Sequence, residues 1–474
     1  MAAKLKKLIM EKQWNQFDTF EMDFHNKVTI ITGKNGVGKT SLLRMISRTV
    51  SPDQQSELWS GFDDMDNVQI KNVMNILKTV HPYLNLNDKI HIPDNLSKSI
   101  GELSKEQLKN STSLTTISVI DFDDAKVKID LPINYSSSKE WGYNFELQIK
   151  EKGNSDWEHF SPKYTSGSVN HNSYDPGISI SSHKFPYIYS KIDYIENGIK
   201  EKNDYFAKYL EITNSQFNIY SWATDLRNPH SIVKQSLISM ILYSSQSHYM
   251  KNTPSFKSEV ENFVKLLKIV LPKELAFENL ILDNETGELI LETAHGDYLM
   301  DSVSGGVGAV IDLVWQMFMA VPEGKPYFVL IDEIENHLHP SLQRDILPKL
   351  CEAFPQVQFV ISTHSPFVVS SVEDSYIYIL DFKNTGKVKP EKIEEYAINL
   401  STSIDDTLYN VLGISSTLPY WAEKKFSKIL NKYKGKTLND NDYIDLLKEM
   451  KDSNLESMTN ELIYKMNGGD EDSD

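Results

Sequence analysis

Lys39 and Thr40 end a glycine-rich stretch, "TGKNGVGKTS" (32–41), that lies between an apolar run, "VTIIT" (28–32), and "LLRMIS" (42–47). The spacing Gly33-x-x-x-x-Gly38-Lys39-Thr40 fits a phosphate-binding loop. Glycines at 33, 36 and 38 let backbone N–H groups converge on an anion, and a following helix points its positive end at the same place. Lys39 then reaches the outer phosphates and Thr40 ligates Mg²⁺. Gly33, Asn35, Gly36, Gly38, Lys39, Thr40 and Ser41 make up the loop's candidate ATP-binding set. The competing reading is a glycine-rich turn without chemistry. A strand before it and a helix after it favour the nucleotide.

Asp332 and Glu333 close a second apolar run, "YFVLI" (327–331), which has the length and continuity of a strand buried on both faces of a parallel sheet. Ligand sites in open α/β sheets lie at that carboxyl edge. Asp332 suits Mg²⁺, held through water, and Glu333 suits orienting and polarising the attacking water. Solvated strand-end acids are the bland alternative, and the phosphate loop weighs against it. Pro340 opens a helix whose apolar face is Leu342, Ile346, Leu350 and Phe354, and "QFVIS" (358–362) is the next strand. A right-handed crossover makes the two strands parallel. His364, in "THSP", then falls on the same edge as Asp332, where it can hydrogen-bond a terminal phosphate. His337 and His339 have an H-x-H spacing that suits zinc on a strand, but Pro340 puts them at a helix start, which disfavours the metal.

"DSVSGGVGAVIDLVWQMFMAV" (301–321) supplies another helix start. Ser304 reads as its N-cap, Gly305 and Gly306 allow close approach, and Val307, Val310, Ile311, Val314 and Phe318 form the expected buried stripe. A second anion-suited helix end is most useful if it closes on the nucleotide from another subunit.

Together these stretches resemble the ABC-type ATPase head shared by the SMC, RecF and OLD families. In that resemblance "GKNGVGKT" is the Walker A loop, "VSGGV" the signature, "FVLIDE" Walker B, "ENHLHP" the D-loop and "ISTHSP" the switch-histidine segment. Ser304 and Gly306 would face the partner's γ-phosphate. Ser182-His183-Lys184 stands where a Q-loop is expected, but without a glutamine. The signature lacks the leucine before its serine and the glutamine after its glycines, which resembles the OLD branch rather than transporters. The stretch from "ENHLHP" to "STHSPFVV" is similar to the ATPases of bacterial antiphage systems of the PARIS and Septu types. The resemblance implies an α/β ABC-ATPase head, with an antiparallel β subdomain, a parallel βα core, a helical lobe and a polar insertion. It also implies a homodimer or higher homo-oligomer closing on ATP and Mg²⁺, and a separate effector nuclease.

Around these motifs, residues 1–50 read as two antiparallel strands and a buried strand with the Walker A loop, and 51–112 as a polar, partly helical insertion. Residues 113–190 read as further antiparallel strands ending in a polar elbow. Residues 191–300 read as a helical lobe and a hairpin turning at Asn284–Gly287. Residues 301–400 carry the signature, Walker B, D-loop and switch histidine, and 401–474 are helical with an acidic tail, "GGDEDSD". The 474 residues carry 49 Lys plus Arg against 66 Asp plus Glu, a net charge of −17, which argues against an overall basic nucleic-acid coat. The single cysteine, Cys351, lies in an apolar helical pattern and fits a reducing cytoplasm. No signal segment is evident, and the longest apolar stretch, 308–321, is short for a bilayer and contains Asp312 and Gln316.

Three functions compete: an ATP-driven switch controlling a partner effector, a DNA-repair or recombination ATPase clamping DNA directly, and a self-contained nuclease. The last needs a metal-binding nuclease domain. The D-x-D at Asp440-Asn441-Asp442 reads as a polar turn before a helix, which disfavours it. Dispersed basic residues favour the switch over the clamp.

Overall fold

The computed structural model describes residues 4–49, 114–132, 146–159, 176–181, 201–215, 229–244, 257–383, 385–393, 419–433 and 440–453, with short pieces between 160 and 463. The polar insertion at 51–112, the elbow at Ser182–Lys184 and the acidic tail lie outside the described residues. Two units divide the chain, Met1–Ile404 and Asp405–Asp474.

In the first unit, alternating residues make β1 (Leu5–Met10) and β2 (Phe20–Asp23), whereas the unbroken β-branched run makes β3 (Val28–Gly33), buried at all six positions. After α1 (Lys39–Ser47) come β4 (Leu114–Phe122), β5 (Ala125–Pro132), β6 (Glu146–Glu151) and β7 (Glu158–His159). They form an antiparallel sheet in the order β2-β1-β4-β5-β6-β7. A two-stranded ribbon of β8 (Tyr164–Thr165) and β9 (Ser168–Val169) leads to β10 (Gly177–Ile180).

Helices α2 (Lys202–Ser215), α3 (Pro229–Ser244) and α4 (Lys257–Val270) build a lobe, followed by a small antiparallel sheet of β11 (Phe277–Leu282), β12 (Leu289–Thr293) and β13 (Tyr298–Leu299). Then come α5 (Gly305–Ala320), β14 (Tyr327–Ile331), α6 (Pro340–Ala353), β15 (Val357–Ser362), the short α7 (Pro366–Val369), β16 (Tyr376–Phe382) and β17 (Val388–Lys392). The central sheet runs β10-β14-β15-β3-β16-β17, parallel except for β17.

One core cluster joins both sheets: Leu5, Leu8 and Ile120 of the antiparallel sheet pack with Ile31, Phe328 and Val360 of the parallel one and with Leu42 of α1. Gln358, fully buried on β15, stitches the layers. Its amide accepts from Leu5 N at 2.8 Å and donates to Leu5 O and His25 O, both at 2.8 Å. This holds Walker A's strand and the antiparallel layer in one frame.

Helix α5 departs from the expected stripe, being buried on every side from Val307 to Ala320. Helices α2, α3 and α4 and strand β10 all pack against it. Its polar residues are paired inside: Asp312 accepts from Tyr209 Oη at 3.0 Å and from Gln316 Nε2 at 2.9 Å, and Trp315 Nε1 donates to Ser236 Oγ at 2.9 Å.

The second unit holds α8 (Tyr420–Tyr433) and α9 (Asp440–Asp452), cored by Phe426, Ile429, Tyr433, Leu446 and Met450. Asp440 is already helical, so the D-x-D motif forms the first turn of α9 rather than a turn before it. The acids at the start of a helix complement its dipole, which the alternating polar letters did not reveal. Among the described residues, no helix is long and apolar enough to cross a membrane.

Candidate active site

Parallel pairing of β14 with β15 and of β15 with β3 brings three strand ends to one edge: Ile331 lies opposite Ile361, and Ser362 opposite Ile31. The loops that follow carry Lys39, Asp332 and His364.

The Walker A loop is shaped by its glycines. Gly33, Gly36 and Gly38 have φ of 140°, 82° and 99°. A Cβ on Gly33 would meet Leu380 O at 2.4 Å, so both the backbone angle and the space demand glycine. Gly38 begins α1, and Leu42 N donates to its carbonyl at 2.9 Å. Lys34, Asn35 and Gly36 form an exposed crest, while Lys39 is only 5% exposed and Ser41 is buried. The Lys39 ammonium donates to Gly33 O at 2.9 Å and Lys34 O at 3.0 Å, inside the turn of its own loop. Burial holds its pKa below the ordinary lysine value, against the opposing pull of Glu333, Asp332 and Glu335. Among the described residues Lys39 forms no ion pair. A cation whose hydrogen bonds here go to carbonyls, under an open crest of glycine N–H groups, fits a polyphosphate.

Asp332 is 8% exposed. Its Oδ2 accepts from Thr40 Oγ1 at 2.9 Å, and its Oδ1 accepts from Ser362 Oγ at 2.5 Å. A hydroxyl and a carboxylate side by side are the hard oxygen donors that Mg²⁺ takes, so these residues fit that ion. Glu333 follows with φ of 48°, in the left-handed region. Its N–H donates to Ser362 Oγ at 2.9 Å, and its Oε2 accepts from Asn336 Nδ2 at 2.7 Å. Ser362 thus donates to one acid and accepts from the backbone of the next.

His364 is half-buried. Burial first, and the Lys39 charge second, hold its pKa below the ordinary histidine value, while Glu333 and Asp332 oppose the shift. The shift favours the neutral imidazole. The loop before it is tied down: Thr363 N donates to Ile31 O at 3.1 Å, and Thr32 Oγ1 donates to Thr363 O at 3.0 Å. Glu335 completes the tie, accepting from Thr363 Oγ1 at 2.8 Å and from His364 N at 2.5 Å. Burial pushes the Glu335 carboxyl above its ordinary range, and these donors pull it back.

Ser304 caps α5, its Oγ accepting from Val307 N at 3.4 Å. Ser304 and Gly305 are exposed, and a Cβ on Gly306 would lie 3.2 Å from His337 O. This helix start therefore abuts the D-loop segment. Among the described residues, no hydrogen bond or ion pair joins Ser304, Gly305 or Gly306 to Lys39, Thr40, Asp332 or Glu333. His339 caps α6, taking Ser341 N on Nδ1 at 3.3 Å, and His337 has φ of 67°.

Ser362, Glu335 and Asn336 lie inside the D-loop and switch-histidine segments, but neither motif nor spacing gives them a role of their own, although each contacts a candidate site residue. Glu335 is a further acid in "DEIEN", but nothing local shows that it faces the neighbouring strand's loop.

An antiparallel β subdomain on a parallel βα core, with a helical lobe and a phosphate loop facing paired acids across a sheet edge, is the architecture of an ABC-type ATPase head. Residues 28–370 match the family described as "AAA domain, putative AbiEii toxin, Type IV TA system". The chain belongs to this family and is an ATPase.

It is 23% identical over 473 residues to "Retron Ec83 probable ATPase" of Escherichia coli, covering 89% of this chain and 78% of that protein. It is 28% identical over 127 residues to "Septu protein PtuA" of Bacillus mycoides (strain KBAB4), covering 25% of this chain and 18% of that one. Among solved structures, "SMC head domain from Thermotoga maritima" is similar with a TM-score of 0.38 and 13% identity, over 82% of this chain and 99% of that one.

Proposed function

We propose that this ATPase is a switch that dimerises around ATP and controls a partner effector, a nuclease, in bacterial antiphage defence. The observation that carries the reading is the split site: Lys39, Thr40, Asp332, Glu333 and His364 gather at one edge, while the capped helix start at Ser304 is exposed and, among the described residues, hydrogen-bonded to none of them. An exposed, phosphate-suited helix end that makes no bond to its own phosphate loop is completed most simply by a second copy. The retron and Septu names of its relatives support the defence setting, and the proposed place of action is the cytoplasm.

In this reading the loop N–H groups and Lys39 hold the β- and γ-phosphates. Thr40 and Asp332 hold Mg²⁺, which would neutralise developing phosphate charge. Glu333 orients and polarises the attacking water, and neutral His364 hydrogen-bonds the γ-phosphate. Ser304, Gly305 and Gly306 of the partner copy close the site.

Mixing Lys39→Ala with Ser304→Arg subunits tests it. Each variant alone is expected to be inactive: the first fails to bind ATP, and the second binds ATP but does not close. The mixture should recover partial hydrolysis, because each heterodimer contains one intact composite site. No recovery, together with ATP-independent monomers by light scattering, would rule out the shared site.

A further inference from the structure

We propose that Glu335 is a positioning residue for hydrolysis: a carboxylate latch that clips the Thr363–His364 loop to the turn after β14. The inference rests on the reading of Glu333 and His364 as parts of one ATPase site.

The two loops leave adjacent parallel strands but are separated in the chain by all of α6. Glu335 spans the gap with both oxygens, Oε2 taking the Thr363 hydroxyl at 2.8 Å and Oε1 taking the His364 N–H at 2.5 Å. An ionised carboxylate is acceptor-only, and two donors facing its two oxygens satisfy it. The Thr363 hydroxyl oxygen also accepts from Ser365 N at 2.9 Å, so its proton is directed to Glu335. Ser365 is anchored in turn, its Oγ donating to Gln343 Oε1 at 2.7 Å on α6. The loop is therefore held at 363, 364 and 365 by groups that come from the β14–α6 connection or from α6 itself.

The arrangement also assigns different work to the two glutamates of "DEIEN". Glu335 has both oxygens committed to the loop, whereas Glu333 takes the Asn336 amide on Oε2 and lies next to Asp332 at the strand end. Glu335 thus sets where the His364 backbone, and so its imidazole, stands relative to the phosphate. It does not take the proton of the attacking water.

A double-mutant cycle on the full chain tests the latch, with steady-state Mg-ATP hydrolysis by Glu335→Ala, Glu335→Gln, His364→Ala and both pairs. Glu335→Ala should lower kcat about ten- to hundredfold, the worth of a hydrogen bond to a charged group, with KM for ATP changed by less than about twofold. Glu335→Gln should keep activity within about threefold of wild type, because its oxygen can accept the His364 N–H while the Thr363 hydroxyl turns to accept from the amide. Each pair with His364→Ala should be no slower than His364→Ala alone within about twofold, since both act through the same imidazole.

Multiplicative losses in either pair, or a Glu335→Gln as inactive as the histidine variant with ATP still bound, would overturn the latch and make Glu335 an independent chemical group. If Glu335→Ala does not fold, the glutamine cycle decides alone. A wild-type rate in His364→Ala would overturn the role given to His364 and the latch with it. A slow His364→Ala beside a wild-type Glu335→Ala would overturn the latch only.

Discussion

Replacing Ser362 by alanine tests the geometry on which the reaction depends. The Ser362 side chain is fully buried at 0% exposure. Its hydroxyl donates to Asp332 Oδ1 at 2.5 Å and accepts from Glu333 N at 2.9 Å. The first bond is charge-assisted, worth about 1.5–3 kcal/mol. The second supports a residue at φ 48°, a backbone state that costs on the order of 1 kcal/mol or more and persists only where its surroundings enforce it. Ser362→Ala removes both supports without touching nucleotide. If the loss falls on the transition state, at about 1.36 kcal/mol per tenfold, kcat drops roughly ten- to hundredfold. The assay is steady-state hydrolysis with ATP and Mg²⁺ titrated separately, beside equilibrium ATP binding in EDTA. Lower kcat, a raised Mg²⁺ requirement and unchanged binding in EDTA are expected. A kcat within twofold of wild type would refute the claim that Ser362 orients the acid pair.

Glu333→Gln should bind ATP and retain it unhydrolysed, because the amide keeps the shape but cannot polarise water; wild-type turnover would move that role to another group. Lys234→Met should be destabilising by about 3–5 kcal/mol, because it removes the buried cation that Glu288 and Asp301 face at 2.5 and 2.7 Å, the lysine being 1% exposed. Burial alone would depress that lysine, but Asp301 and Glu288 overcome it and hold its pKa above the ordinary value. Its contribution is thus complete at neutral pH and is lost only as the pH rises past the lysine range. An unchanged unfolding midpoint for Lys234→Met at pH 7 would contradict this. Burial pushes the Cys351 thiol up to about 11, so at pH 8 only about a thousandth of it is thiolate. Alkylation by iodoacetamide should run on the order of a hundredfold slower than for an exposed thiol, and a rate matching free cysteine would show that the site opens readily.

The Walker A loop is legible in the linear chain because its demands are local. Gly33 and Gly38 need φ values that other residues resist, and Lys39 is in the same turn. β3 and β14 are legible for a similar reason, since burial on both faces leaves a continuous apolar run. Asp332 and Glu333 are then placed by the rule that ligand sites lie at the carboxyl edge of an open α/β sheet, which depends only on the strand being parallel.

The supports of those residues are not local. Ser362 meets Asp332, and Glu335 meets His364, only because β15 inserts between β14 and β3, an order that hydrophobic periodicity does not encode. Helix α5 shows the same limit from the apolar side. Its letters predict a stripe, yet the surrounding α2, α3, α4 and β10 bury it all round, and Asp312 is tolerated there because Tyr209, more than a hundred residues earlier, reaches it. Residue type and short spacing reflect what one stretch of backbone requires of itself, whereas partners across strands and helices depend on packing that is settled only when the whole core closes.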